Sequence, residues 1–166
     1  MKHFLIFSLA ALLLVSCKNQ STSSWQKLTF IQGKPALVHL NLGDTSQTHG
    51  DGMAFEAPLK DTSGAEVGEI MGWLVTVDID IADSSNPVHL TERIGTTVFN
   101  FGDENEIVAQ GGISYHHGEQ LMKIGIEQKR AIVGGTGKYK GIVGEVTTTR
   151  NDDGTYTHFL DYKIDN

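Results

Sequence analysis

His39 and Asn41 stand two residues apart in "PALVHLNLG", Pro35 to Gly43. In an extended strand that spacing puts both side chains on one face, with Val38, Leu40 and Leu42 on the other. An imidazole that titrates near neutral pH beside a carboxamide can take a proton and hold a water or a substrate oxygen. His39 is therefore the candidate general base or hydrogen-bond donor, and Asn41 its candidate partner; no further catalytic residue is assigned. Leu74 and Thr76, on one face of the run from Val67 to Ile81, join them as candidate ligand-binding residues. His158 also falls in mid-strand, and for both histidines a structural imidazole satisfied by internal hydrogen bonds is the competing reading.

Other chemistry is excluded by spacing. "AIVGGTGKYKGIVGEV", Ala131 to Val146, contains Gly137-Lys138 but no glycine at the first position of a phosphate loop, and Tyr139 occupies the magnesium-binding hydroxyl position. Its second half is β-branched and broken by glycine, so no helix N-terminus is available to a phosphate. The expectation is a glycine turn between two strands, with no nucleotide bound. His116 and His117 are neighbours that point to opposite faces, and His49 with Asp51 lies in a "THGDG" loop. Asp78, Asp80 and Asp83 lack the glycine and distal glutamate of a calcium loop. No metal and no cofactor are expected, and the absence of G-x-S-x-G argues against a serine hydrolase.

These residues need elements to carry them. The chain has 166 residues, 20 acidic against 13 basic side chains and a formal charge of -7, which disfavours nucleic acid as a partner. Lys2 and His3 precede an apolar run from Phe4 to Val15 that has the make-up of an export signal. Leu14-Val15-Ser16-Cys17 resembles the lipobox of bacterial lipoproteins. That resemblance implies cleavage after residue 16, acyl chains such as palmitate on Cys17, and a membrane-anchored envelope protein, periplasmic or on the outer-membrane side. Cys17 is the only cysteine, so an intrachain disulfide and a zinc-thiolate site are both excluded. The expected organisation is a signal peptide over 1–16, a lipid-anchored tether over 17–26 and one domain over 27–166.

Within that domain apolar residues recur with period two and turn residues return every ten to fifteen positions. Eight strands are predicted, beginning near Pro35, Gly52, Val67, Arg93, Glu106, Leu121, Gly141 and Tyr156. Hairpin turns are expected at Asn86-Pro87, "GDEN" from Gly102, "HHGEQ" from His116 and "NDDGT" from Asn151. So many hairpins without an intervening helix predict an all-β, eight-stranded antiparallel up-and-down barrel. Strand glycines at Gly72, Gly95, Gly111, Gly125 and Gly144 favour the barrel over a sandwich.

"FNFGDENEIVAQGG", Phe99 to Gly112, followed by "AIVGGTGKYKGIVGEV" and "YTHFLDYKI", resembles the C-terminal half of plant allene oxide cyclases. The glycine-turn stretch is also similar to the related dirigent proteins. With "GDGMAFEAPLKDTSGAEVGEIMGWLVTV" upstream, the likeness extends from about Leu37 to Ile164. It implies an eight-stranded barrel, often trimeric, whose interior binds a hydrophobic small molecule. The family's chemistry does not carry over intact. The cyclase glutamate falls at His39, its first-strand asparagine at Asn41, its cysteine at Leu74 and its second-strand asparagine at Ala57, while the dirigent arginine falls at Val143 beside Lys140. Allene oxide cyclase activity itself is therefore not expected. Three functions stay open: a lipid-anchored barrel that binds a small hydrophobic molecule, a cyclase or isomerase acting on such a molecule, and a non-catalytic envelope interaction module. A homotrimer is expected to cover the apolar outer row of Val38, Leu40 and Leu42.

Overall fold

The computed structural model describes residues 24–43, 49–79, 90–116 and 121–165. Cys17, the tether before Ser24, and Asn86-Pro87 lie outside them. Among the described residues there are nine strands: β1 (Gln26–Gln32), β2 (Ala36–Leu40), β3 (Gly52–Lys60), β4 (Glu66–Ile79), β5 (Leu90–Asn100), β6 (Glu106–His116), β7 (Glu127–Gly135), β8 (Ile142–Arg150) and β9 (Tyr156–Ile164). Each pairs antiparallel with its neighbour in the order β1-β9-β8-β7-β6-β5-β4-β3-β2. The sheet closes where β1 meets β3, with Ile31 opposite Lys60 and Gln32 opposite Leu59.

β1 and β2 are two halves of one stave, so the barrel is a closed eight-stranded one. Pairing along β3 passes from Gln32–Leu59 to Ala36–Glu56 with one extra residue on the first stave. Gly33 N donates to Pro58 O at 2.9 Å across this bulge. A Cβ on Gly33 would stand 2.9 Å from Pro58 Cγ, so the absence of a side chain lets the two backbones close.

Two expectations about the strands are corrected. The first stave starts at Gln26, nine residues before Pro35, because "QKLTFIQ" is already a strand paired with β9 throughout. The sixth stave is Glu127–Gly135, whereas residues 121–126 contribute a single bridge, Ile124 with Arg150. Gly125 in the left-handed region (φ 74°) breaks the alternation there. One cause underlies both errors: the inward residues of these staves include Gln32 and Arg130, so a polar side chain stands where an apolar alternation was sought.

Inward-facing rows fill the two ends of the barrel differently. The end bearing the turns at 61–65, 101–105 and 136–141 is solid, with Leu59, Ile70, Phe99, Ile107, Val146 and Leu160 removed from solvent. Each such side chain contributes about 1.5–3 kcal/mol. Tyr139 closes that end, its ring centroid 5.2 Å from that of Phe101. The opposite end holds a second cluster of Met53, Leu74, Ile113, Tyr115, Met122 and Tyr156. β6 and β7 pair only from Ile107–Gly135 to Gln110–Ala131; beyond that, Gln128 Nε2 donates to Ser114 O at 2.6 Å. Residues 121–126 lie at this opening end, and they send Met122 into the second cluster.

Candidate functional site

A polar layer separates the two apolar clusters. Alternation along β7, β8 and β9 turns Arg130, Thr148 and His158 inward, and β1 and β5 add Gln32 and Thr97; all five are buried. Arg130 donates from Nη1 to Thr97 Oγ1, and from Nη2 to Thr148 Oγ1 at 2.7 Å. With its oxygen accepting from Arg130, Thr148 gives its proton to His158 Nδ1 at 2.9 Å. The remaining imidazole proton, on Nε2, goes to Gln32 Oε1 at 2.8 Å. His158 is thus a neutral imidazole with both nitrogens occupied. Its ring meets Phe99 edge-on at 5.2 Å. Burial first, and the Arg130 charge second, push its pKa down to about 3. Such an imidazole positions its neighbours; it has no free nitrogen with which to take a proton from a ligand.

Arg130 is the unusual member. It is 5 % exposed, and its Nε, also buried, has no hydrogen-bond partner. Burial lowers its pKa to about 10, which still leaves it charged at neutral pH. Among the described residues no carboxylate hydrogen-bonds it or forms an ion pair with it. Gly111 makes the room for its stem: a Cβ there would lie 3.1 Å from Arg130 Cγ.

Above this floor is a half-enclosed chamber of about 40 Å³. Its walls include Leu37, Met53, Phe55, Leu74, Ile113 and Met122, and its polar groups are Gln32, Arg130, Thr148, His158 and the phenols Tyr115 and Tyr156. Arg93, buried on β5, places its guanidinium 4.3 Å from the centre of the Tyr115 ring. Burial raises the Tyr115 hydroxyl above its ordinary pKa, opposed by the charges of Arg93 and Arg130. Tyr156 is pushed up to about 12, also by burial, with Arg150 opposing. Both phenols are therefore hydrogen-bond donors at neutral pH. Arg150 sits at the same end, where its Nη1 donates to Met122 O at 3.0 Å and holds the 121–126 segment in place.

The structure separates the residues that sequence reasoning grouped. Leu74 lines the chamber, and Thr76 is buried one turn of the pleat above it on β4. Gly95 lets Leu74 lie flat, since a Cβ on Gly95 would fall 2.0 Å from Leu74 Cδ2. His39 stands opposite Met53 in the β2–β3 ladder but is exposed at the rim, and it is not among the chamber's walls. Asn41 is exposed too, with its Oδ1 accepting from Gly43 N at 3.2 Å. The phenols and the buried guanidinium were missed. The available signal was Arg130 between Gln128 and Ile132, with Thr148 and His158 at inward parity on the two following strands.

The glycine-rich stretch lies at the opposite, solid end. It runs from β7 through a 3₁₀ turn, Gly137–Tyr139, into β8. Lys138 N donates to Asn105 Oδ1 at 2.9 Å, and Gly137 fits against Asn105 only because it lacks a Cβ. Among the described residues no three His, Cys, Asp or Glu side chains converge as a metal site, and no helix is long and apolar enough to cross a membrane.

No protein-family model matches the chain, and no curated protein sequence matches it. Solved structures do. A pyocyanin demethylase superposes with a TM-score of 0.58 at 19 % identity, over 84 % of this chain and 99 % of that one. A nonspecific heme-binding cyclase that catalyses [4 + 2] cycloaddition in neoabyssomicin biosynthesis gives 0.61 at 14 %, over 97 % and 71 %. A pterocarpan synthase dirigent protein gives 0.56 at 15 %, over 92 % and 95 %. The chain has the dirigent-like and cyclase-like barrel fold. In this dirigent-like barrel the half-open end, with its polar floor, is where strand ends and loops converge.

Proposed function

We propose that the chamber binds a small, mostly apolar molecule. One observation carries this reading: a hydrogen-bonded polar layer seals the solid half of the barrel and leaves a half-enclosed, apolar-walled space with phenols and a guanidinium at its base. Apolar walls with a few fixed polar groups are what ligand sites offer. The fold's solved neighbours include a heme-binding cyclase and a dirigent protein, which supports small-molecule binding here. The test is native mass spectrometry of the protein taken from its own host. The reading expects an added mass that leaves on denaturation; an apo mass that no small apolar probe shifts counts against it.

A cyclase or isomerase is the second reading, favoured by the Tyr115 hydroxyl beside two guanidinium groups. A neutral phenol backed by cations can donate to a carbonyl oxygen as it gains negative charge. His39 at the rim is the sequence-derived base for that step, and turnover unchanged in His39→Ala removes it from the role.

Two further proposals concern setting. Acyl chains on Cys17 would tether the barrel to the bacterial envelope, and an envelope fraction containing a chain whose N-terminus is not an acylated Cys17 argues against this. The outer wall would be covered by further copies of the chain, as a homotrimer. Val38 is 68 % and Trp73 42 % exposed, and they border a groove of about 500 Å³ with Ala54, Met71 and Val98.

A further inference from the structure

Arg130 presents a question of charge. Removing a guanidinium from water costs several kcal/mol unless an opposite charge or a full set of acceptors replaces the water. Here two threonine hydroxyls serve three nitrogens, and Nε faces no acceptor. The chain carries an acidic excess, yet among the described residues no carboxylate is buried in the barrel interior. The neighbours facing Arg130 are Thr97, Thr148, His158 and Tyr115, none of them anionic at neutral pH. The cation and the chamber share a wall, and the rest of that small, half-open space is lined mainly by apolar side chains.

We infer that the chamber takes the head of a small hydrophobic molecule bearing a carboxylate or an equivalent planar mono-anion, with that anion seated against Arg130 and the apolar body running outward past Leu37 and Met122 through the half-open mouth. The inference rests on the small-molecule reading above and deepens it. A planar fork is the natural partner of a carboxylate, which can take two parallel N–H bonds and leave the threonine bonds to rearrange. The phenol of Tyr115 supplies a neutral donor to the same group, and it can do so without adding charge.

The test uses the full chain and two isosteric acid–amide pairs, 3-phenylpropionate with 3-phenylpropanamide and octanoate with octanamide, titrated calorimetrically at pH 7. An aromatic or a fatty-acid source of the anion is told apart by which pair binds more tightly. The expected result is that at least one acid binds about tenfold or more tightly than its amide. Arg130→Gln is expected to bring the acid down to the level of the amide while amide affinity stays within about twofold. Should Arg130→Gln not fold, Arg130→Lys keeps the charge without the planar fork; it is expected to retain a preference for the acid, weakened several-fold. Equal binding of acid and amide to the native chain overturns the anion and leaves the small-molecule reading standing. An undiminished acid preference in Arg130→Gln overturns the assignment to Arg130. If no member of either pair binds, the small-molecule reading and the anion fail together.

Discussion

Arg130 and His158 meet on a single hydroxyl. Thr148 Oγ1 lies 2.7 Å from Arg130 Nη2 and 2.9 Å from His158 Nδ1; it accepts from the guanidinium and, because Gln32 Oε1 takes the imidazole proton on Nε2, it gives its own proton to Nδ1. The layer is a directed chain from Arg130 to Gln32 across the barrel, and reversing any one bond would leave two donors or two acceptors facing each other.

That arrangement predicts a pH dependence of stability. In the folded chain His158 stays neutral down to about pH 3, while in the unfolded chain it takes up a proton near its ordinary value of 6.5. Between those values the unfolded state binds the extra proton, so stability falls as pH falls from about 6.5, by up to about 1.4 kcal/mol per pH unit. Urea unfolding at pH 7.5, 6.0 and 5.0 should show this slope in the native chain and a shallower one in His158→Gln. Equal slopes would mean that His158 is not the group responsible.

A second prediction concerns Arg130 in the empty barrel. Replacing a buried, incompletely satisfied cation by an apolar side chain of similar length should leave the ligand-free protein as stable or more stable, by about 1–3 kcal/mol. Arg130→Met measured by thermal unfolding checks this. A clear fall in Tm would indicate that Arg130 is there for the fold.

Gly95 offers a way to narrow the chamber without touching its polar groups. A methyl at this position must displace Leu74 Cδ2, now 2.0 Å from where it would sit, and Trp73 O is 3.0 Å away on the other side. Gly95→Ala should cost about 1–3 kcal/mol and should weaken probe binding more than Leu160→Ala does. The latter opens a cavity in the solid half, at about 2–5 kcal/mol, and should leave the probe's affinity unchanged.

His39 provides the contrasting case. It is exposed and outside the chamber wall, so His39→Ala should leave stability within about 0.5 kcal/mol. The acid–amide preference should likewise be unaffected. A loss of that preference would move the site outward to the rim.

For the outer wall, Val38→Lys or Trp73→Glu should lower the mass found by sedimentation from a trimer to a monomer without loss of fold. A native chain that sediments as a monomer at high concentration would remove the trimer.

The barrel was legible because most inward rows are apolar: Met53, Ala57 and Leu59 on β3, and Ile107, Ala109 and Ile113 on β6, alternate with outward residues as a closed sheet requires. The turns at 102–105 and 151–155 were legible for a local reason, since Asp103 and Glu104 adopt left-handed backbone in the first and Gly154 does so in the second. The site was less so. Its layer is built from one inward position on each of several staves, and nothing in the spacing along any one strand marks Gln32, Thr97, Arg130, Thr148 and His158 as neighbours. Proximity of Gln32 to His158 depends on barrel closure, which brings β1 against β9. Within one strand, each polar inward residue looked instead like an interruption.

The most direct test of the central claim is a methyl NMR titration of the native chain with 3-phenylpropionate. Binding in the chamber predicts saturable shifts of the Leu37, Met53, Leu74, Ile113 and Met122 methyls, with Leu59, Ile70 and Leu160 below the polar layer and Val38 on the outer wall unmoved. Shifts confined to Val38 and its outer-wall neighbours, or no saturable shift among the chamber methyls, would contradict it.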